Sequence, residues 1–452
     1  MWTFEMAGNY HRKIVLSIFL VSIVGFLWLV LKCDDGSSIM TMAASIWDTK
    51  SKISFVDWSK VKPRKKVSEE DLHDKWIVVT SVSLPTEQVK KLSVIDGWRL
   101  IIVADLKTPK DWSHPNVVFL SVEKQKELGY KTTSLLPYKN YARKNIGYLY
   151  AIEHGAKIIY ETDDDNYPYD GKIGFGLDGE KKYLVYATDR ATVNPYEHFG
   201  QSTIWPRGYP LENIGDPVQR TFVKCDNIQP LIRQGVVNGD PDVDAIFRLT
   251  RKDVGVKLDV EFDSKAPPVL IPPGTYTPFN CQNTVYLYNA FWGLVLPPSQ
   301  TLRVTDIWRS FYVKRLLQEI DGYLGFFGPS AYQERNSHSY LEDFIDEKAL
   351  YYNAGRFIEF LRKWKPTKLD FFSQILELTI ALVNENFLEP IDALIMKAWL
   401  TDLVSMGYVI PQLRTQKAPC AKIIENEKVK TYEEKPSSFI HLGKQLKNIY
   451  KL

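Results

Sequence analysis

The chain has 452 residues, 45% of them hydrophobic and 25% charged, enough to bury a sizeable core in one large domain with an appendage. Its net charge of +3 is scattered along the sequence, which excludes the basic stripe expected of a nucleic-acid binder. The four cysteines, Cys33, Cys225, Cys281 and Cys420, are too few for a disulfide scaffold. Cys225 with Cys281 is a candidate bridge, with buried free thiols as the alternative.

Residues 14–31 are eighteen consecutive uncharged, mostly apolar positions, a helix of about 27 Å that matches a bilayer core. His11, Arg12 and Lys13 precede it, and Lys32, Asp34 and Asp35 follow with no small-residue cleavage site, so the pattern predicts a signal anchor. The expected topology is a cytosolic tail at 1–13, a transmembrane anchor at 14–31 and a luminal remainder. Residues 32–74 show no sustained period and include KVKPRKK at 60–66; they read as a stem, with Trp47, Phe55 and Trp58 available to pack onto the body.

A βαβ rhythm begins near residue 75. The run WIVVTSV at 76–82 predicts a buried strand, 86–92 a short helix, 98–103 a second strand ending at Asp105, and 117–120 a third. Residues 138–154 carry a helical stripe of Tyr141, Asn145, Leu149 and Ile152, stopped by Gly155. The apolar strand at 157–160 then runs into Glu161-Thr162-Asp163-Asp164-Asp165-Asn166. Residues 167 to about 340 are irregular and rich in Gly, Pro and aromatics, as loops and substrate walls are. Residues 341–415 turn helical, with predicted helices at 340–364, 369–386 and 391–406, and 416–452 form a charged tail. The fold expected is α/β: a Rossmann-like, mostly parallel sheet with flanking helices, an N-terminal transmembrane helix and a C-terminal helical appendage. The main domain covers 75–340, split into a nucleotide-binding half at 75–170 and an acceptor half at 171–340.

In such sheets ligands bind beyond the carboxyl ends of the strands, where the acidic run lies. In an extended chain Asp163 and Asp165 face one side and Asp164 the other, so the first two can share a cation, and oxygen-only ligands favour Mg²⁺ or Mn²⁺. With thirty aspartates in the chain, D-x-D recurs by chance, and it is the preceding hydrophobic strand that gives this one meaning. Arg143 and Asn145, on the helix before the acidic strand, are candidates for contact with a diphosphate or base; Asp105 and Asp164 are candidates for the nucleoside. Downstream, Asp306 in RVTDIWRSF and Asp244 in NGDPDVDAIFRL are alternative general bases, and His338 is a candidate third metal ligand. Seven histidines with no HxH or HExxH argue against a dinuclear phosphohydrolase.

Three segments, LPYKNYARKNIGYLYAIEHGAKIIYETDDDN at 136–166, HFGQSTIWPRGYPL at 198–211 and RVTDIWRS at 303–310, together resemble the STELLO-type glycosyltransferases, which are Golgi type II membrane proteins. The TDDDN element is also similar to that of the reversibly glycosylated polypeptides, whose DDD motif binds UDP and metal. The resemblance covers roughly 75–350. It implies a GT-A fold, a Golgi membrane address, and Asp163 to Asp165 as the metal and nucleotide-sugar site. The expected activity is metal-dependent transfer from a nucleotide-sugar donor, a UDP-sugar, to a glycan, lipid or protein acceptor. A homo-oligomer is compatible with the sequence. The alternative is a non-catalytic Golgi scaffold or trafficking protein built on the same fold.

Overall fold

The computed structural model describes residues 53–175, 177, 182–226, 228–335, 339–414 and 432–433. The expected anchor at 14–31, His338 and nearly all of the charged tail lie outside the described residues. Among the described residues no helix is long and apolar enough to cross a membrane.

The N-terminal half of the sheet follows the apolar runs. Strands β1 (Lys75–Thr80), β2 (Arg99–Val103), β3 (Val117–Leu120) and β4 (Ile158–Thr162) lie parallel in the order 3-2-1-4. Trp76, Ile77, Val78 and Val79 of β1 are buried on both faces, which is why that run is continuous rather than alternating. Helix α1 (Glu87–Leu92) is capped by the Thr86 hydroxyl on the Val89 amide, and α2 (Val122–Glu127) by Ser121 on Lys124. Helix α3 (Lys144–Glu153) packs on β1 and β2 so closely that a Cβ added at Gly147 would lie 2.6 Å from Val103 and 2.7 Å from Val78 side-chain atoms.

Beyond β4 the sheet becomes mixed. The stretch expected to be irregular contributes β5 (Asn166–Pro168), β6 (Lys182–Tyr186), β7 (Thr221–Asp226), β8 (Ile232–Gly239), β9 (Val269–Ile271), β10 (Asn283–Leu287) and β11 (Leu324–Gln333). Strand β10 is antiparallel to both β4 and β8, whereas β8 runs parallel to β11. The path continues through β9, β6 and β7 to a short β12 (Tyr432–Glu433). Two short helices, α4 (Pro195–His198) and α5 (Ala245–Thr250), precede α6 (Thr305–Leu317), of which all thirteen residues are buried. Charged residues at buried positions hide α6 from a search for an apolar stripe, and strands as short as three residues do the same for parts of the sheet.

The predicted helix at 340–364 is two, α7 (Tyr340–Asp346) and α8 (Lys348–Lys363); α9 (Phe371–Asn384) and α10 (Pro390–Ser405) follow. Trp308 of α6 meets Phe357 of α8 edge-on, and the Trp399 indole donates to the Trp292 carbonyl at 3.0 Å, so these helices close over the back of the sheet. Residues 55–74 pack on the same body: Trp58 lies edge-on to Phe372 and donates to Ser373, and the Arg64 amide donates to the Ser405 carbonyl. Cys225 is disulfide-bonded while Cys281 is a buried free thiol, so the two do not form the candidate bridge.

Candidate active site

A cleft of about 640 Å³ opens beyond the carboxyl ends of β1, β2 and β4, with the ends of β8 and β11 and the loop into α6 forming its other wall. The acidic run enters it as a turn: β4 stops at Thr162, and the Asn166 amide donates back to the Asp163 carbonyl at 3.4 Å. The extended alternation expected from the sequence is therefore replaced by three carboxylates fanning in different directions, and all three line the cleft.

Each carboxylate is held by a different element. Asp163 Oδ1 accepts from the Tyr141 hydroxyl at 2.6 Å, and lies 3.4 Å from the fully buried Lys144 ammonium, which also donates to the Thr162 carbonyl at 2.7 Å. Asp164 Oδ2 accepts from the Ser81 hydroxyl at 2.6 Å, and the Asp164 carbonyl from Thr86 at 2.7 Å. Asp165 Oδ2 accepts from the Gln333 side chain at the end of β11, 2.9 Å away, and its Oδ1 from Asn166 at 2.8 Å. Burial, then the charge of Asp163, push the Asp165 carboxyl up to about 6, and burial raises Asp164 as well. Among the described residues no three His, Cys, Asp or Glu side chains form a ready-made metal cage.

The opposite wall is a charge network. Arg207 donates through Nε and Nη2 to the two oxygens of Asp242, both at 2.8 Å, and through Nη1 and Nη2 to those of Asp306, at 3.1 and 3.0 Å. Asp306 also accepts from the Ile307 and Cys281 amides at 3.0 and 3.3 Å. Asp242 accepts from Asn280 at 2.8 Å, and its arginine partners hold it well below the usual carboxylate range despite burial. Beneath the cleft a fully buried ion pair, Glu161 of β4 with Arg309 of α6 at 2.6 Å, ties the strand that delivers the acidic turn to the helix that delivers Asp306; Tyr148 of α3 donates to the same carboxylate.

The structure sorts the residues singled out in the sequence. Asp105, Arg143, Asp163, Asp164, Asp165 and Asp306 all line the cleft. Asp105 is occupied by the Leu106 and Asn140 amides, and Arg143 is braced on Gln125 and stacked over Tyr138. Asn145 does not reach the cleft: it is buried, and its amide exchanges two hydrogen bonds with the Leu296 backbone, at 3.0 and 2.8 Å. Asp244 is likewise not among the cleft-lining residues. It caps α5 by accepting from the Phe247 amide at 2.8 Å and takes the Trp205 indole on its other oxygen, with burial raising its carboxyl to about 6. Its neighbour Asp242 is the one that faces the site. Arg207, Arg303, Gln333 and Arg335 were not singled out, because the pairings that place them join residues far apart in sequence and leave no spacing to read.

A mixed α/β core with a largely parallel central sheet, ending in an acidic turn inside a cleft, fits a GT-A-like architecture. Residues 303–431 match the model of the STELLO glycosyltransferases. Two relatives from Arabidopsis thaliana, probable glycosyltransferases STELLO1 and STELLO2, are 37% and 35% identical over 96% and 97% of this chain, covering 58% and 59% of their own lengths. Nearly the whole chain is thus similar to STELLO glycosyltransferases, and it spans rather more than half the length of these curated relatives.

Proposed function

We propose that the chain transfers a sugar from a nucleotide-sugar donor to an acceptor hydroxyl, with the donor diphosphate at Asp163 to Asp165 and the acceptor toward Asp306. The carrying observation is the gathering of three carboxylates at the carboxyl end of β4, in a cleft whose far wall bears arginines. A divalent ion, Mn²⁺ or Mg²⁺, fits this turn: its ligands are oxygens, and the raised carboxyl of Asp165 reflects in part a repulsion by Asp163 that a cation removes. Asp163 and Asp165 would hold the ion, which when bound supplies positive charge to the leaving diphosphate.

The chain's own residues prepare the rest. Tyr141 and Lys144 fix Asp163, Ser81 fixes Asp164 and Gln333 fixes Asp165, so the turn is oriented before any ligand arrives. Asp105, at the end of β2, is placed for the nucleoside, with a UDP-sugar as the expected donor and a glycan, lipid or protein as acceptor. Tethering by residues 14–31 in the Golgi membrane, body in the lumen, completes the proposal.

A second reading, a Golgi scaffold or trafficking protein that binds donor without turnover, draws on one observation. Both oxygens of Asp306 and of Asp242 already accept from Arg207 and its neighbours, which makes each a weak base. Sugar release from a panel of nucleotide sugars, with Mn²⁺ and with chelator, separates the two. The proposal expects one donor to be turned over only with metal, and Asp163→Ala to abolish it; binding with no turnover across the panel supports the scaffold.

A further inference from the structure

We infer that Arg335, seconded by Arg303, clamps the departing diphosphate from the β11 side of the cleft; this rests on the nucleotide-sugar reading and names the cation that serves it. Arg207 is saturated by Asp242 and Asp306, Arg248 holds Asp240 at 2.5 Å, and Arg303 directs Nε and Nη2 onto Glu347. Among the described residues Arg335 has no carboxylate at hydrogen-bond distance, and its one direct hydrogen bond to them runs from Nη2 to the Gln333 amide oxygen at 3.3 Å. The nearest carboxylates, Asp240 at 3.7 Å and Asp242 at 4.0 Å, are each already bonded by another arginine. Its Nε is buried with no hydrogen-bond partner among the described residues.

A guanidinium is a planar fork matched to two oxygens of a phosphate, and leaving its donors dry and unpaired is costly. Burial, with Arg303 and Arg248 crowding it, depresses the Arg335 pKa from the ordinary value, so an anion in the cleft would relieve strain already present. The position selects which anion. Gln333, the residue Arg335 touches, donates to Asp165, and the Arg335 charge in turn lowers the Asp165 carboxyl. Arg335 therefore serves the same ligand as the acidic turn, and Arg303, 3.9 Å from Asp242 through Nη1, flanks it.

In the transfer the bond between the anomeric carbon and the β-phosphate oxygen breaks, and its electron pair stays on that oxygen. The acceptor hydroxyl oxygen bonds the same carbon and loses its proton to water. Negative charge grows on the diphosphate, where a fixed guanidinium is most effective.

The test titrates the full-length chain in detergent with Mn²⁺ against UDP, UMP and uridine, and against GDP, GMP and guanosine. In the tighter series the wild type prefers the diphosphate to the nucleoside. Arg335→Ala should lower diphosphate affinity by about ten- to a hundred-fold while nucleoside affinity stays unchanged, with Arg335→Lys recovering part of the loss. Where the alanine variant unfolds, Arg335→Gln keeps the volume and carries the same expectation. Unchanged diphosphate affinity, or parallel loss for diphosphate and nucleoside, overturns the inference and leaves Arg335 as a structural counter-charge to Asp240. A wild type with no preference for the diphosphate in either series overturns the nucleotide-sugar reading as well.

Discussion

Replacing Asp165 by asparagine should make the metal-free protein more stable at neutral pH. Folding carries the Asp165 carboxyl from its ordinary 3.8 to about 6, chiefly by burial and then by the charge of Asp163. That change corresponds to about 3 kcal/mol held against the ionised form. The folded value lies above the unfolded one, so the favourable contribution of the proton-bound form is complete below the ordinary value and is lost as pH rises through about 6. Above that range the fold carries a buried, repelled carboxylate that the asparagine variant lacks. The substitution is not free, because both Asp165 oxygens accept, from Asn166 and from Gln333, and the new amide must turn its NH₂ on one of these donors. One lost hydrogen bond costs about 1 kcal/mol, leaving a net gain of about 2 kcal/mol. Urea unfolding in chelator at about pH 7.5 and about pH 4.5 reads the difference. The gain should appear at the higher pH and vanish or slightly reverse at the lower. A gain of equal size at both, or a loss at neutral pH, would refute the idea that Asp165 is an unneutralised charge awaiting a cation.

Arg309→Leu leaves Glu161 buried beside Tyr148 alone and should cost about 3–5 kcal/mol in urea unfolding; a cost near that of a surface substitution would show that the pair is not structural. Asp244→Ala should lose about 1 kcal/mol of stability through the α5 cap while sparing turnover, whereas Asp306→Asn should cut turnover; the reverse pattern in donor-hydrolysis assays would return Asp244 to the site. Gly147→Ala should destabilise by about 1–3 kcal/mol because the added methyl meets Val103 and Val78, and a neutral effect would mean that α3 can lift from the sheet at little cost.

The part of the fold legible in the sequence is the part whose side chains are uniformly apolar. Strands β1 and β2 stand out as unbroken runs because both faces are covered, and α9 and α10 are bounded by prolines and caps. The C-terminal half of the sheet was hidden because buried polar residues interrupt its apolar ones. Gln234 of β8 accepts from Thr284 of β10 and from the Asn280 amide, and Tyr160 of β4 donates to Asn283, so residues that sequence patterning assigns to loops sit inside the sheet. Helix α6 shows the same effect, with Asp306 and Arg309 buried against partners far away in the sequence. In the site, an acidic cluster after a hydrophobic strand could be found from order alone. The separation of Asp242 from Asp244 could not, because it depends on Arg207, thirty-five positions from Asp242. Asn145 shares the helical stripe that pointed to the cleft but faces the loop carrying Leu296, a distinction that only packing makes.

The most direct test of the account is calorimetric titration of UDP, and of the nucleoside diphosphate the panel selects, into wild type, Asp163→Ala and Asp165→Ala, each with Mn²⁺ and with chelator. The account predicts that wild-type affinity falls sharply when the metal is removed and that both variants bind as weakly with Mn²⁺ as the wild type does without it. Circular dichroism should show the variants still folded, since the carboxylates replaced are ligands in waiting rather than core. Equal affinity across all these samples would show that the acidic turn is a solvated strand end and that the cleft does not bind a donor through it.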